Sequence, residues 1–236
     1  MITLERIQAE IIKFPDEDQL PENLVAVAVK VDDLGLAFHS GLIIGVDGVY
    51  HLFHYGGNTV DLEDVPIDEW YLCKELEIVD GQEFSLSFLA HCQNILSEES
   101  PNYGQYYDGS YYDEDGKYFN EAGTSNFTTC VGFCIKVITG FIHKKEQYFE
   151  LSDWDNATAD SFYHNIPQFY FDVFIKKFKQ KNPKVSEGDF RKAYKRISPS
   201  EYTASAFITD LPIRREAIQN ILVNVDSTIK SKRLAS

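Results

Sequence analysis

The alternation of apolar and polar positions predicts a β-hairpin between residues 39 and 55. Two apolar runs flank the pair Asp47-Gly48, and an Asp-Gly pair between such runs is typical of a two-residue hairpin turn. An earlier run of small and β-branched residues, 24–31, predicts a buried strand because it is short and apolar throughout. The first part of the chain is therefore expected to form an antiparallel sheet.

Helical periodicity covers four later stretches. Apolar residues recur every three to four positions over 83–96, and the same spacing recurs over 162–181, 187–197 and 213–232. Residues 97–125 are poor in aliphatic side chains and rich in tyrosines and acids. We interpret them as a long loop, which is either an acidic lid facing a substrate or a plain surface loop.

Composition points to an ordinary soluble globular protein, with 44% hydrophobic and 25% charged residues. The 22 basic and 37 acidic residues give a net charge of −15, which disfavours binding to nucleic acid and to anionic membranes. No apolar run reaches the roughly 18 residues of a membrane span, and the first ten residues lack a secretory pattern. We therefore expect a cytoplasmic protein whose four cysteines are free thiols.

Positive charge is concentrated between residues 176 and 196. Nine basic residues against two acids (9 − 2 = 7) give this stretch a charge of +7. One interpretation is a solvated face that compensates the acidic first half, and the other is a docking surface for an acidic or phosphate-bearing partner. The basic residues are Lys176, Lys177, Lys179, Lys181, Lys184, Arg191, Lys192, Lys195 and Arg196.

The candidate chemistry lies in the hairpin and in a later cysteine. His39 and His51 stand twelve positions apart (51 − 39 = 12), and imidazoles on adjacent strands can act as a base and the group that orients it. The nucleophile that they would activate is Cys130, which two threonines precede as good helix N-caps. A cysteine in the first turn of a helix meets the positive end of the dipole, which lowers the pKa of its thiol.

Other interpretations of these residues stay open. Apolar residues also alternate over 131–137, so Cys130 could instead be an inert residue of a central strand. The two histidines could be an ordinary pair of half-buried polar side chains. A metal site is not expected, because the cysteines lack zinc spacing and because His51 and His54, three apart on one strand, face opposite sides.

The stretch HSGLIIGVDGVYH (39–51), followed by Cys130 with Phe133 three positions later, resembles the circularly permuted papain-like cysteine enzymes. The nearest resemblance is to the NlpC-related superfamily and its lecithin:retinol acyltransferase-like branch, and it covers residues 24–142. It implies an α+β fold in which a small curled antiparallel sheet packs on a helix that begins at the nucleophile. It also implies Cys130 as nucleophile, His39 as base and His51 as orienting group.

The sequence departs from that family in three ways. Thr129 stands where the family has asparagine, and Val131-Gly132 replaces the acidic pair and histidine that often follow the cysteine. The apolar C-terminal anchor of the lipid-acting members is missing, which argues against phospholipid and retinoid substrates. A two-residue turn would also place position 56, and not His51, opposite His39, so the triad requires a longer turn, a bulge or strong curvature.

We therefore expect a thiol hydrolase or acyltransferase that cleaves an amide, ester or isopeptide bond without a cofactor. Its catalytic core would span residues 1–150, and a helical C-terminal subdomain would span 151–236. The alternative is a non-enzymatic interaction protein, such as an inhibitor or adaptor. Such a protein would use the acidic tyrosine-rich loop and the basic helices as its surfaces.

Overall fold

The computed structural model describes residues 2–14, 20–64, 71–104, 108–121, 123–142, 147–154, 168–186, 188 and 195–235. Over these residues the fold is mixed α+β, with a six-stranded antiparallel sheet and six α-helices. The α+β class expected from the sequence is therefore confirmed. Among the helices of these ranges, none has the length and apolar character that crossing a membrane requires.

The large sheet has the strand order β1-β6-β2-β3-β4-β5, and every neighbouring pair is antiparallel. Its strands are β1 (Ile12–Phe14), β2 (Leu24–Val31), β3 (Ala37–Val46), β4 (Val49–Tyr55), β5 (Val60–Asp64) and β6 (Tyr71–Glu75). Four two-residue strands follow, β7 (Asn102–Tyr103), β8 (Tyr111–Tyr112), β9 (Tyr118–Phe119) and β10 (Phe127–Thr128). The strand predicted over 24–31 is confirmed.

The helices are α1 (Leu4–Glu10), α2 (Gly81–Ile95), α3 (Cys130–Phe141), α4 (Gln168–Lys181), α5 (Pro199–Ser205) and α6 (Arg215–Leu234). The helices predicted over 83–96 and 213–232 are confirmed as α2 and α6. The first part of the helix predicted over 162–181 and most of the one predicted over 187–197 lie outside the described residues.

The β3–β4 hairpin has the turn that its sequence predicts. Val46 pairs with Val49, and the two residues between them, Asp47 and Gly48, have φ of 49° and 77°. Two consecutive positive φ angles define a primed turn, whose twist matches that of the flanking strands. The turn fixes the register of the whole hairpin, so each residue of β3 has a defined neighbour on β4.

The main core lies between one face of the sheet and the helices α2, α3 and α5. Alternate residues of β2 point into it, and the residues between them belong to a smaller cluster on the opposite face. Residues from both sides of position 150 share the main core, including Val27, Phe133, Tyr202 and Ile218. Residues of both expected units, 1–150 and 151–236, therefore contribute to the main core, and the division into two units stays a prediction.

Helix α3 runs through the middle of this core. The Thr129 hydroxyl caps it by accepting a hydrogen bond from the Gly132 N–H at 2.9 Å, and ten of its twelve residues are buried. Burial on nearly all sides explains why its sequence also alternates like a central strand. The helix that starts at Cys130 is confirmed, and the strand alternative is wrong.

The described part of the tyrosine-rich stretch 97–125 is better packed than a plain surface loop. Strands β8 and β9 form a small hairpin in it, and Tyr112 is buried in the main core. The β8 backbone lies directly against α3, since a Cβ added at Gly140 would stand 1.6 Å from the Tyr112 carbonyl oxygen. Strand β7 pairs in parallel with β10, the strand that leads into Cys130.

Candidate active site

Cys130 is the first residue of α3, and it is the one described cysteine that is partly exposed. Its sulfur lies beside the backbone N–H groups of Ser40 and Val131. Helix α3 supplies the Val131 N–H because the first N–H groups of a helix have no partner within the helix. Ser40 comes from β3, so the thiol lies where the helix N-terminus meets the sheet.

Burial raises the pKa of the Cys130 thiol above its usual range. The N–H groups of Ser40 and Val131 and the positive charge of Arg196 act in the opposite direction, with smaller effect. The lowered pKa expected from the helix dipole is therefore wrong, since desolvation outweighs it. The resting thiol is protonated, and its activation requires a base.

The other three cysteines are buried and less favourable as nucleophiles. Burial raises the pKa of Cys73 to about 12 and raises that of Cys92 and Cys134 far above the usual range. Neither a reagent nor a base reaches such thiols without local opening of the core. Cys130 is thus the one described thiol with both partial exposure and stabilising N–H donors.

Cys130 packs against the main core, at the end of the β3–β4 pairing. The last pair of that ladder is Gly41 with His54, and Ser40 lies one residue beyond it. Strand β3 also pairs with β2, and it has a bulge at Phe38 there, since His39 pairs with Lys30 and Ala37 with Val31. Lys30 lies on the same face of β2 as Ala26 and Ala28 of the smaller cluster, so the His39 side chain lies on the face of the sheet opposite α3.

A continuous chain of polar side chains crosses three strands at this end of the sheet. His39 Nε2 lies 3.0 Å from His54 Nδ1, and His54 Nε2 lies 3.2 Å from a carboxylate oxygen of Glu63. The three residues come from β3, β4 and β5 in turn. The imidazole rings of the two histidines stand nearly perpendicular, at 82°, with centroids 5.2 Å apart.

The hairpin register brings His54, and not His51, to His39. His54 pairs with Gly41, so it is the diagonal neighbour of His39 on the same face of the sheet. His51 pairs with Ile44, on the opposite face and five residues further along β3, which is about 17 Å away along the strand. The expected partnership of His39 with His51 is therefore not formed.

His51 has a separate carboxylate neighbour. Its Nδ1 lies 3.8 Å from Asp64, whose side chain is 94% exposed. A diagonal position could have identified His54 from the sequence, because the two-residue turn already implied position 56 opposite His39. The residue two before that position, on the same face, is His54.

Gly41 permits the diagonal contact between the two histidines. A Cβ at this position would stand 2.8 Å from Leu52 Cδ1 and 3.2 Å from His54 Cβ. Both distances are shorter than ordinary van der Waals contact, so a side chain here would displace His54. The glycine after His39 in the sequence motif therefore has a local role: it lets the neighbouring strand's histidine lie across it.

Three further side chains surround the thiol. The charge of Arg196 acts on both Cys130 and the phenol of Tyr103, and Tyr103 stacks on Tyr55 with ring centroids 6.5 Å apart. Ser40 contributes a fully buried hydroxyl, which has no hydrogen-bond partner among the described residues. Tyr103 and Ser40 were not singled out from the sequence, and Arg196 was named only as part of the basic stretch, because only the fold brings β7, β3 and the segment near 196 together.

A buried lysine supports the strand that leads into Cys130. Lys136 is fully buried in α3, and its ammonium donates to Asn126 Oδ1 at 2.9 Å and to the Phe127 carbonyl at 3.0 Å. The Tyr118 ring lies 5.0 Å from the same nitrogen. Burial lowers the pKa of Lys136 to about 8, because removing the ammonium from water costs free energy. Its two hydrogen bonds hold residues 126–127 in place.

The described residues of the basic stretch 176–196 do not form one exposed surface, since Arg196 is half-buried and its charge acts on Cys130. Lys176 and Lys177 are exposed on α4, whereas Lys195 donates to the Trp154 carbonyl. Arg191 and Lys192 lie outside the described residues. Within the described ranges there is also no group of three or more metal-ligating side chains.

Comparisons with protein-family models, with curated proteins and with solved structures found no match. The resemblance to the permuted papain-like enzymes therefore stays a prediction from the sequence motif. Inferences about function rest on the geometry around Cys130, His39 and His54.

Proposed function

We propose that the protein is a thiol hydrolase or acyltransferase in which Cys130 attacks the carbonyl carbon of an amide or ester. In this proposal His39 is the base that removes the thiol proton, reaching the thiol from the other face of the sheet at the end of the β3–β4 ladder, and His54 orients the His39 ring. The observation that carries the proposal is the junction at the end of the β3–β4 ladder. There Ser40 presents its N–H to the Cys130 sulfur, and the preceding residue, His39, is held by a second imidazole.

The proposed reaction has two acyl-transfer steps. His39 accepts the Cys130 proton while the sulfur bonds to the carbonyl carbon, and the resulting imidazolium returns that proton to the leaving amine or alcohol. The product is a thioester on Cys130. Water, or an acceptor alcohol or amine, then attacks the thioester with His39 again accepting the proton, and the thiol is restored.

The raised pKa of Cys130 favours this order of events. A thiol that is protonated at rest cannot act as a standing thiolate–imidazolium pair, so proton transfer accompanies attack. The N–H groups of Ser40 and Val131 then stabilise the negative charge that develops at the end of α3. The permuted papain-like placement of this sheet and helix is part of the same proposal, and the helix that starts at Cys130 supports it.

The test uses a panel of activated esters with short and long acyl groups. Under the proposal, p-nitrophenyl esters give a burst of nitrophenol and an acyl adduct that mass spectrometry maps to Cys130. Cys130→Ala abolishes the adduct, and His39→Ala slows its formation by about 100-fold or more, the usual contribution of a general base.

The matched pair His54→Asn and His51→Asn separates the two histidines of β4. The first is expected to slow acylation, and the second to leave it near the wild-type rate, because the partner of His51, Ile44, lies four residues along β3 from Ser40, which is about 14 Å. Acylation of another residue, or equal rates for His39→Ala and the wild type, would refute the proposed function.

A further inference from the structure

Lys136 and Asn126 hold a primary amine against a carboxamide inside the protein. The Lys136 side chain is fully buried, and its nitrogen lies 2.9 Å from Asn126 Oδ1. Because that oxygen is bonded to Cγ at about 1.23 Å, Nζ lies no more than about 4 Å from the carbonyl carbon. This is close to the separation of about 3–3.5 Å from which two reacting atoms can form a bond.

Both side chains are held in place. The Asn126 backbone carbonyl accepts the Asn102 N–H at 2.8 Å and the Asn102 side-chain amide at 3.2 Å. The Asn126 amide nitrogen donates to the Tyr112 hydroxyl at 3.0 Å, and the Lys136 ammonium also donates to the Phe127 carbonyl. Groups that are already oriented react as if at very high concentration, so a reaction that is negligible between free side chains can proceed here.

Burial also makes the lysine a nucleophile near neutral pH. It lowers the pKa of Lys136 to about 8, although the charge of Asp108 acts in the opposite direction. About one-tenth of the amine is therefore neutral at pH 7 and about nine-tenths at pH 9. The neighbouring phenols of Tyr112 and Tyr118 keep their protons over this range, since burial raises the pKa of both.

We propose that Lys136 and Asn126 form an intramolecular isopeptide bond, which joins α3 covalently to the segment that leads into β10. The lone pair of Nζ forms a bond to Asn126 Cγ, the Cγ–Nδ2 bond breaks, and ammonia leaves. The Tyr112 hydroxyl contacts the leaving nitrogen, gives it a proton and is reprotonated by the proton that Nζ loses. The bond does not depend on the role of Cys130.

A second lysine–asparagine pair provides the contrast. Lys181 donates to Asn102 Oδ1 at 2.7 Å, so its two groups are at least as close as those of the buried pair. Lys181 is exposed, and water stabilises the charged form of its amine, which is not nucleophilic. We therefore expect a bond at Lys136 and none at Lys181.

The experiment incubates the purified full-length protein at several pH values from 7 to 10 and follows its intact mass and its tryptic peptides. We expect a form that is lighter by one ammonia, in which trypsin does not cleave after Lys136 and tandem mass spectrometry finds residues 126 and 136 linked. Its rate of formation should rise about tenfold from pH 7 to pH 9 and then level off, as the neutral amine does. Freshly prepared protein, in which Lys136 still titrates, is the starting state.

Two variants and one reagent separate this bond from other losses of ammonia. Lys136→Arg keeps the positive charge without a nucleophilic amine and should stop the reaction. Tyr112→Phe keeps the buried ring and should slow it by about 100-fold, the lower end of what a general acid contributes. A succinimide at Asn126 also forms with loss of ammonia, but hydroxylamine opens it and trypsin still cleaves after Lys136. Wild-type protein kept in urea should not form the bond, which tests the need for the fold without a substitution.

Four results would overturn the proposal. They are an unchanged mass, conversion of Asn126 to aspartate with Lys136 left free, the same loss of ammonia in Lys136→Arg or in urea, and a bond between Lys181 and Asn102 that forms as fast as the buried one. A Tyr112→Phe variant that reacts at the wild-type rate would overturn the assignment of Tyr112 as the proton donor.

Discussion

Lys136 makes the stability of the protein depend on pH in a direction that its surroundings predict. Burial lowers the pKa of its ammonium to about 8 in the folded protein, whereas an unfolded lysine keeps a value of about 10.4. Between these values the unfolded chain binds more protons than the folded one, so the free energy of unfolding rises with pH. The rise is about 3 kcal/mol in total, of which about 1 kcal/mol falls between pH 7 and pH 9.

The pH slope is a better test of Lys136 than the stability at a single pH. Lys136→Met removes a buried charge, but it also leaves the Asn126 and Phe127 oxygens without their donor, which costs about 1–3 kcal/mol each. These effects oppose each other, so the net change at pH 7 isolates neither of them. The slope depends only on the titrating group.

The measurement is urea unfolding of the wild type and of Lys136→Met at several pH values from 7 to 9. Other groups also titrate, since burial raises the pKa of Tyr55 to about 12, which destabilises the fold as pH rises above 10. Taking the difference between the two proteins removes their contributions. We expect the free energy of unfolding of the wild type to rise by about 1 kcal/mol relative to that of Lys136→Met between pH 7 and pH 9.

The matched control is Thr139→Val, which removes a buried hydrogen bond to the Ile135 carbonyl in the same helix without removing a titrating group. Its difference from the wild type should be the same at every pH in this range. A flat or falling difference for Lys136→Met would refute the conclusion that a buried ammonium with a lowered pKa anchors residues 126–127.

Three other predictions follow from the site. Iodoacetamide should label Cys130 before any other described cysteine, and the rate should increase as the pH rises toward the raised pKa of the thiol. Peptide mapping that finds a core thiol labelled first would contradict the assignment. Gly41→Ala should lower the free energy of unfolding, measured in urea, by about 1–3 kcal/mol and should slow Cys130 alkylation, since its Cβ would crowd His54. The control Gly56→Ala, whose Cβ would have 3.9 Å to its nearest neighbour, should change neither quantity. Reversing the charge of Lys176 and Lys177 on α4 should leave acylation by activated esters within a few-fold of the wild type, and a large loss in a folded variant would mean that α4 contributes to the site.

Local patterns predicted much of the sheet and the helix that starts at Cys130. The Asp-Gly pair fixed the β3–β4 turn, the short apolar run predicted β2, and the threonines before Cys130 predicted a capped helix. The helix was harder to separate from a strand, because a helix buried on nearly all sides loses the polar face that marks its period. The elements that cover the helix on all sides are visible only in the folded structure.

The histidine partner required the register as well as the motif. Sequence spacing favoured His51, whereas the two-residue turn put the diagonal position of His39 at His54, and hydrogen bonding across a sheet follows position rather than spacing. The pKa of Cys130 was also misjudged, since the helix dipole is visible in the sequence but the depth of burial is not. Tyr103 and Arg196 meet the thiol only through long-range packing.

The shared core has a consequence for how the protein becomes competent during synthesis. Helix α5 packs on β2 and β3, and its Tyr202 hydroxyl donates to the Gly41 carbonyl at 3.2 Å, beside the two histidines. A nascent chain that has released the sheet and α3, but not yet residues 199–205, leaves that face of β3 bare and its apolar residues in water. The segment that covers the sheet is synthesised about seventy residues after Cys130 (202 − 130 = 72). Cys130 and the sheet beside it are thus covered only after residues 199–205 have left the ribosome.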